Sequence, residues 1–129
     1  MKFLSMFVLL IITNASYAAG GGGGSSPFTP LSPPIIVNIR DGNHIRHMQV
    51  IIELKLTDPS KSSKLDLHKG PLRHELILML SSQDAATIAQ AQGKEQLRKD
   101  ALAAAQKVMN ELEGEDVIEA LYFTNFIIQ

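Results

Sequence analysis

Hydrophobic and polar positions change period several times along the chain, and each change marks an element. Phe3 to Ile12 is a nearly unbroken apolar run that stops at Thr13 and Asn14. After a polar gap, Ile35, Val37 and Ile39 alternate with Ile36, Asn38 and Arg40, which predicts a first strand. Asp41-Gly42-Asn43 supplies a turn, because Gly and Asn tolerate positive φ. From His47 to Thr57 the alternation is cleanest. Met48, Val50, Ile52, Leu54 and Leu56 share one face, and His47, Gln49, Ile51, Glu53, Lys55 and Thr57 share the other. That is an antiparallel strand with one wet side. Asp58-Pro59-Ser60 and Ser62-Ser63 end it.

The period then becomes helical. Gly70-Pro71 opens a helix, with Pro71 in the first turn, and Leu72, Leu76, Met79 and Leu80 form its core stripe. Ser82 is placed to cap a short helix over residues 84–88. A long helix follows over residues 92–113, with Leu97, Ala101, Ala104, Val108 and Leu112 as its seam. Gly93 costs roughly 1 kcal/mol relative to Ala inside a helix, so it signals close packing or the helix boundary. Gly114 suits the left-handed position after the last turn. Residues 117–129 form a final strand, with Leu121, Phe123 and Ile127 on one face and Ile118, Tyr122, Phe126 and Ile128 on the other. Two apolar faces predict a central strand or one covered on both sides, with a docked terminus. The order β-β-α-α-α-β gives an α+β domain, a small antiparallel sheet with helices on one face.

The front of the chain reads as targeting and tether. Lys2, the apolar run and Ser16-Tyr17-Ala18 describe a secretory signal peptide over residues 1–18. A spanning helix needs about twenty apolar residues, so a retained membrane anchor is the less favoured reading. Residues 19–34 form a linker. Gly20 to Ser26 have nothing to pack, and Pro27, Pro30, Pro33 and Pro34 stiffen the approach to a domain over residues 35–129. The glycine run lacks the strand, the Lys-Ser/Thr ending and the helix of a phosphate-binding loop.

Composition narrows the function. The 129 residues carry 12 Lys and Arg against 13 Asp and Glu, with no Cys. A net charge of −1 argues against nucleic acid, whose phosphates call for a basic excess. Without Cys there are no disulfides, no thiolate nucleophile and no Cys-ligated zinc. His44 and His47 point to opposite faces at strand spacing, and His68 and His74 lie elsewhere, so all four read as solvated rather than metal-binding. No Gly-x-Ser-x-Gly occurs, and Ser60, Ser62 and Ser63 read as loop polarity. Glu111, Glu113, Glu115 and Asp116 read as a solvated acidic cluster around a helix end rather than a catalytic pair. Arg73 and Glu75 are placed on the wet face of their helix, and Tyr122, Phe123 and Phe126 in the core. No catalytic, cofactor-binding or metal-binding residue is assigned.

Ser82-Gln83-Asp84-Ala85-Ala86, then Gly93-Lys94, then Leu121-Tyr122-Phe123-Thr124-Asn125-Phe126-Ile127-Ile128-Gln129 resemble the flagellar basal-body-associated FliL family, whose domain closes on a similar strand. Val37-Asn38-Ile39, His47-Met48-Gln49-Val50 and Leu72-Arg73 with Leu76 to Leu80 extend the resemblance to roughly residues 34–129. The front differs from the usual basic tail and full transmembrane helix, and His47 stands where an aromatic is usual. The resemblance implies a stomatin/prohibitin-like (SPFH) fold on the periplasmic face of the inner membrane, at the flagellar basal body. It implies a non-enzymatic accessory that contacts flagellar stator and basal-body proteins, forms a homo-oligomeric ring, and supports rotation, motility and chemotaxis. Membrane association then runs through an uncleaved leader or through partners. The alternative is a soluble periplasmic adaptor or scaffold of the same fold, not tied to the motor.

Overall fold

A computed structural model describes residues 26–129; the leader and the glycine run, residues 1–25, lie outside the described residues. The first strand of the sheet is β1 (Phe28–Pro30), followed by β2 (Ile35–Asp41) and the long β3 (His44–Leu56). A 3-10 turn (Pro59–Lys61) leads into α1 (Ser62–Leu67), α2 (Lys69–Ser81), α3 (Ala85–Ile88) and α4 (Ala91–Glu113), and β4 (Ile118–Ile128) closes the order. The α+β class and the β…α…β order match the sequence reading, with β1 and α1 added to it.

Among the described residues the strands pair antiparallel to one another, centred on β3, and an isolated parallel bridge joins Arg40 to Asp84. Strand β2 pairs residues 44–50 of β3, β1 pairs residues 53–55, and β4 pairs residues 48–56. Because a strand has only two sides, β1 and β2 share one edge of β3 and β4 takes the other. The last strand is therefore an edge strand, not the central one its two apolar faces suggest. Two bulges explain those faces. The register slips between Gln49 and Ile51 and again between Lys55 and Leu56, and each extra residue reverses the alternation of β4. Ile118, Leu121, Phe123 and Ile128 consequently face the helices together, while Tyr122 and Ile127 face out. Asn125 takes φ 54° at the first bulge, a left-handed conformation that Asn tolerates better than branched residues.

The β2–β3 hairpin turns on Gly42 at φ 60° while Asn43 keeps negative φ, the arrangement that prefers Gly at the first central position. One sheet face buries Ile35, Val37, Ile39, Met48, Val50, Ile52, Leu54 and Leu56 against Leu72, Leu76 and Leu80 of α2, Ile88 of α3 and Leu97 of α4. Burial of about 25 cal/mol per Å² of such surface is the main force holding the layers.

Three local readings change. The buried row of α4 is Leu97, Ala101, Ala105 and Met109, while Leu112 is exposed. A strict four-residue spacing is inclined to the helix axis, so α4 crosses its neighbours obliquely and its last turn leaves the core. Ser82 does not cap α3; its hydroxyl donates to Met79 O at 2.7 Å, closing α2, and Asp84 precedes α3. The collar before Ile35 is part of the sheet. Leu31 is fully buried and donates its N–H to Ile52 O, so a single anchored side chain recruits the stretch that proline content reads as a spacer.

Candidate interaction surfaces

Three neighbourhoods bring polar chemistry together. The first is the collar. Arg73 of α2, placed on a wet face by the sequence pattern, donates from Nη1 to Pro33 O at 2.6 Å and to Leu31 O at 3.1 Å. It is a strap on the incoming chain rather than a free surface charge. Glu75 does remain exposed.

The second lies where α4 ends. Glu113 accepts from His68 Nε2 at 2.6 Å, and Glu115 pairs with Lys64 and, at 3.6 Å, with Lys61. Lys61 also donates to Asp116 O, as does the Thr57 hydroxyl, each at 2.8 Å. Within what the sequence shows as an acidic cluster, Glu113 and Glu115 are thus engaged by side chains from the 3-10 turn, α1 and the α1–α2 junction, and Asp116 is held through its backbone carbonyl. Hydrogen bonding to Lys64 holds the Glu115 carboxyl below its ordinary value of 4.5, and the same bond raises the Lys64 ammonium. Glu111 and the Asp116 carboxylate stay exposed to solvent, Glu111 reaching Lys107 at 4.0 Å. His68 is therefore half-buried and engaged, unlike the exposed His44 and His74. His47 shares a 2.7 Å hydrogen bond with Asn38 across the hairpin, and its backbone exchanges two hydrogen bonds with Gln129. The docking expected for the terminal strand comes from that exchange. Among the described residues the histidines do not gather into a metal site.

The third is a groove of about 440 Å³ between the start of α4 and β4, lined by Ala89, Ala91, Lys94, Glu95, Arg98, Tyr122, Phe123 and Phe126. Its walls follow from the elements. Gly93 lets α4 start directly against α3, since a Cβ there would meet Thr87 O at 1.9 Å. The bulge at Asn125 turns Phe126 toward Phe123, with ring centroids 5.6 Å apart. Arg98 is clamped by Glu95 through two hydrogen bonds of 2.6 and 2.9 Å, and it donates to Leu121 O on β4. That clamp raises the Arg98 guanidinium and lowers the Glu95 carboxyl. Gln106 caps Ile118 O in the same way, so α4 side chains occupy backbone acceptors along β4. Lys94 rests over the Phe126 ring at 5.0 Å, and among the described residues no carboxylate stands within ion-pair distance of it.

The aromatic set is split by this arrangement. Phe123 and Phe126 are partly buried against the core, whereas Tyr122 stands opposite Glu53 at the outer sheet face, is 43% exposed, and lines the groove as well. The same face carries exposed Ile36 and Ile127, which flank Gln49 in one cross-strand row. Sequence periodicity misses that row because its three members come from three strands. Nothing in these neighbourhoods combines a nucleophile, a base and an orienting partner.

Many polar side chains of this layered α+β domain hold its own strands and helix ends. Residues 28–129 match the family model described as flagellar basal body-associated protein FliL, and the chain belongs to that family of non-enzymatic flagellar proteins. It is similar to the flagellar protein FliL of Aquifex aeolicus (strain VF5), at 28% identity over 99 residues. That alignment covers 77% of this chain and 59% of the relative, so the chain spans about three fifths of the curated protein it matches.

Proposed function

We propose that this chain is an exported accessory of the flagellar motor that supports the stator units at the basal body through protein contacts alone. The observation that carries the reading is the family match, which runs over the whole described sheet and helix layer from Phe28 onward. In this reading residues 1–18 direct export and are removed, residues 19–27 serve as the tether, and the folded body works in the periplasm against the inner membrane. A homo-oligomeric ring of such bodies braces the periplasmic parts of the stator against load. The mechanism is mechanical. A β3-centred sheet backed by a single core transmits force between contacts without a chemical step, and well-packed interiors have low compressibility.

Deletion of the gene is expected to reduce swimming speed, most strongly in viscous medium, and a tagged chain is expected to gather at flagellar bases. Unchanged motility under load, or even distribution through the periplasm, overturns the motor reading in favour of a soluble adaptor. Mass spectrometry of the purified N-terminus is expected to begin at Ala19.

A further inference from the structure

The groove at the start of α4 has a counterpart at the other end of the molecule. Leu67 is the most exposed large apolar side chain of the described residues, at 75%. It projects from the end of α1 beside Asp66, whose side chain is 59% exposed and meets Lys69 through one oxygen only. His68 ties this end to Glu113, at the last turn of α4. Lys94 lies about 28 Å away, 19 residues along the same helix at 1.5 Å each. One end therefore offers an apolar knob with an acid beside it, and the other a partly apolar groove in which Arg98 engages both oxygens of Glu95 and Lys94 is left as the surplus cation.

The charges on α4 run the same way. Its first turn holds no acid and its last turn no base, the reverse of what the helix dipole favours. The helix gains nothing by itself from that order, whereas a neighbour placed end to end would. The other strongly exposed aliphatic side chains fit the groove less well. Ile45 stands opposite Arg40 and next to Arg46, so it would bring like charge to Lys94. Ile36 lies flat within the outer sheet face.

We infer that the groove lined by Lys94, Phe123 and Phe126 receives Leu67 and Asp66 of a second copy of this chain. Leu67 fills the space over Ala89, Ala91 and the two rings, and Asp66 meets Lys94. The two surfaces differ, so the contact is head-to-tail, and the ring proposed above requires that its rotation close. This inference rests on the self-associating reading above and supplies the surfaces for it.

Because the native chain has no Cys, paired cysteines test the contact on a silent background. In the full-length chain carrying both Leu67→Cys and Ala91→Cys, mild oxidation is expected to give a ladder of multimers on non-reducing gels. The two sites lie too far apart to bridge within one copy, since a disulfide needs Cα atoms within about 7 Å. A mixture of the two single variants is expected to stop at a dimer. Lys94→Glu is expected to weaken self-association at least about tenfold by sedimentation, a change of roughly 1.4 kcal/mol. Adding Asp66→Lys to Lys94→Glu is expected to restore it, which a mere folding defect would not allow. An oligomer that forms without the ladder, or a ladder that appears with Leu78→Cys in place of Leu67→Cys, overturns this contact and leaves the ring standing. A monomer at all accessible concentrations overturns both.

Discussion

At Gly93 a single hydrogen atom decides how closely two helices meet. A Cβ there would run into the Thr87 carbonyl, which belongs to backbone and cannot swing aside. Gly93→Ala gains roughly 1 kcal/mol of helix propensity but incurs overpacking of about 1–3 kcal/mol. The expected outcome is a net loss of stability in urea unfolding, and a variant more stable than the parent refutes the close approach. Arg73 makes a second residue-scale case. Its guanidinium holds two carbonyls of the collar, so Arg73→Ala is expected to cost about 1 kcal/mol and to speed hydrogen exchange at the Leu31 amide. Lysine at this position is expected to restore only part of the loss, because its ammonium ends a shorter stem than the one that brings Nη1 to both carbonyls. The sequence shows both residues, but only Gly93 announces its role. A glycine inside a helical pattern demands a reason, while an arginine on a helix flank is ordinary.

The α4–β4 junction shows the same logic for an element. The end of α4 is fastened by Glu113 to His68 and by Glu115 to Lys64 and Lys61, and Gly114 turns the chain at φ 70° between them. The Glu115 carboxyl sits below 4.5 when folded because Lys64 hydrogen-bonds its charged form. Folding thus favours the deprotonated state, and this contribution is complete above pH 4.5 and fades as the pH falls through the lowered value. Asp58 and Glu95, held down by bonds from Ser60 and Arg98, act in the same direction. The parent is expected to lose melting temperature more steeply than Glu115→Gln between about pH 5 and 3. Parallel curves for the two proteins contradict the role given to this ion pair. The partners come from sequence positions some fifty residues upstream, which no local pattern connects.

For the molecule as a whole, the question is where the domain starts. Pro27 to Pro34 have the composition of a spacer, yet β1 covers the edge of β3 at residues 53–55 and Leu31 enters the core. A chain beginning at Ile35 is expected to be less stable than one beginning at Ser26 by about 2–5 kcal/mol, the range for emptying a buried leucine site, and to aggregate through the bared edge. Equal unfolding midpoints would return the collar to the role of a spacer. The family match, which begins at residue 28, agrees with the longer body.

The sequence alone determined the two long strands of the hairpin, the α2 and α4 helices, the α+β class and the family resemblance. These rest on periodicity, turn chemistry and short motifs, all of which act between residues close in the chain. Tertiary structure decided the rest. It made β4 an edge strand by placing bulges that no alternation predicts, drew the collar into the sheet, matched the acidic helix end to distant bases, and opened the groove beside Phe126. Each of these depends on which surfaces meet after the chain has folded, and that is settled by long-range packing rather than by the local preferences of the residues involved.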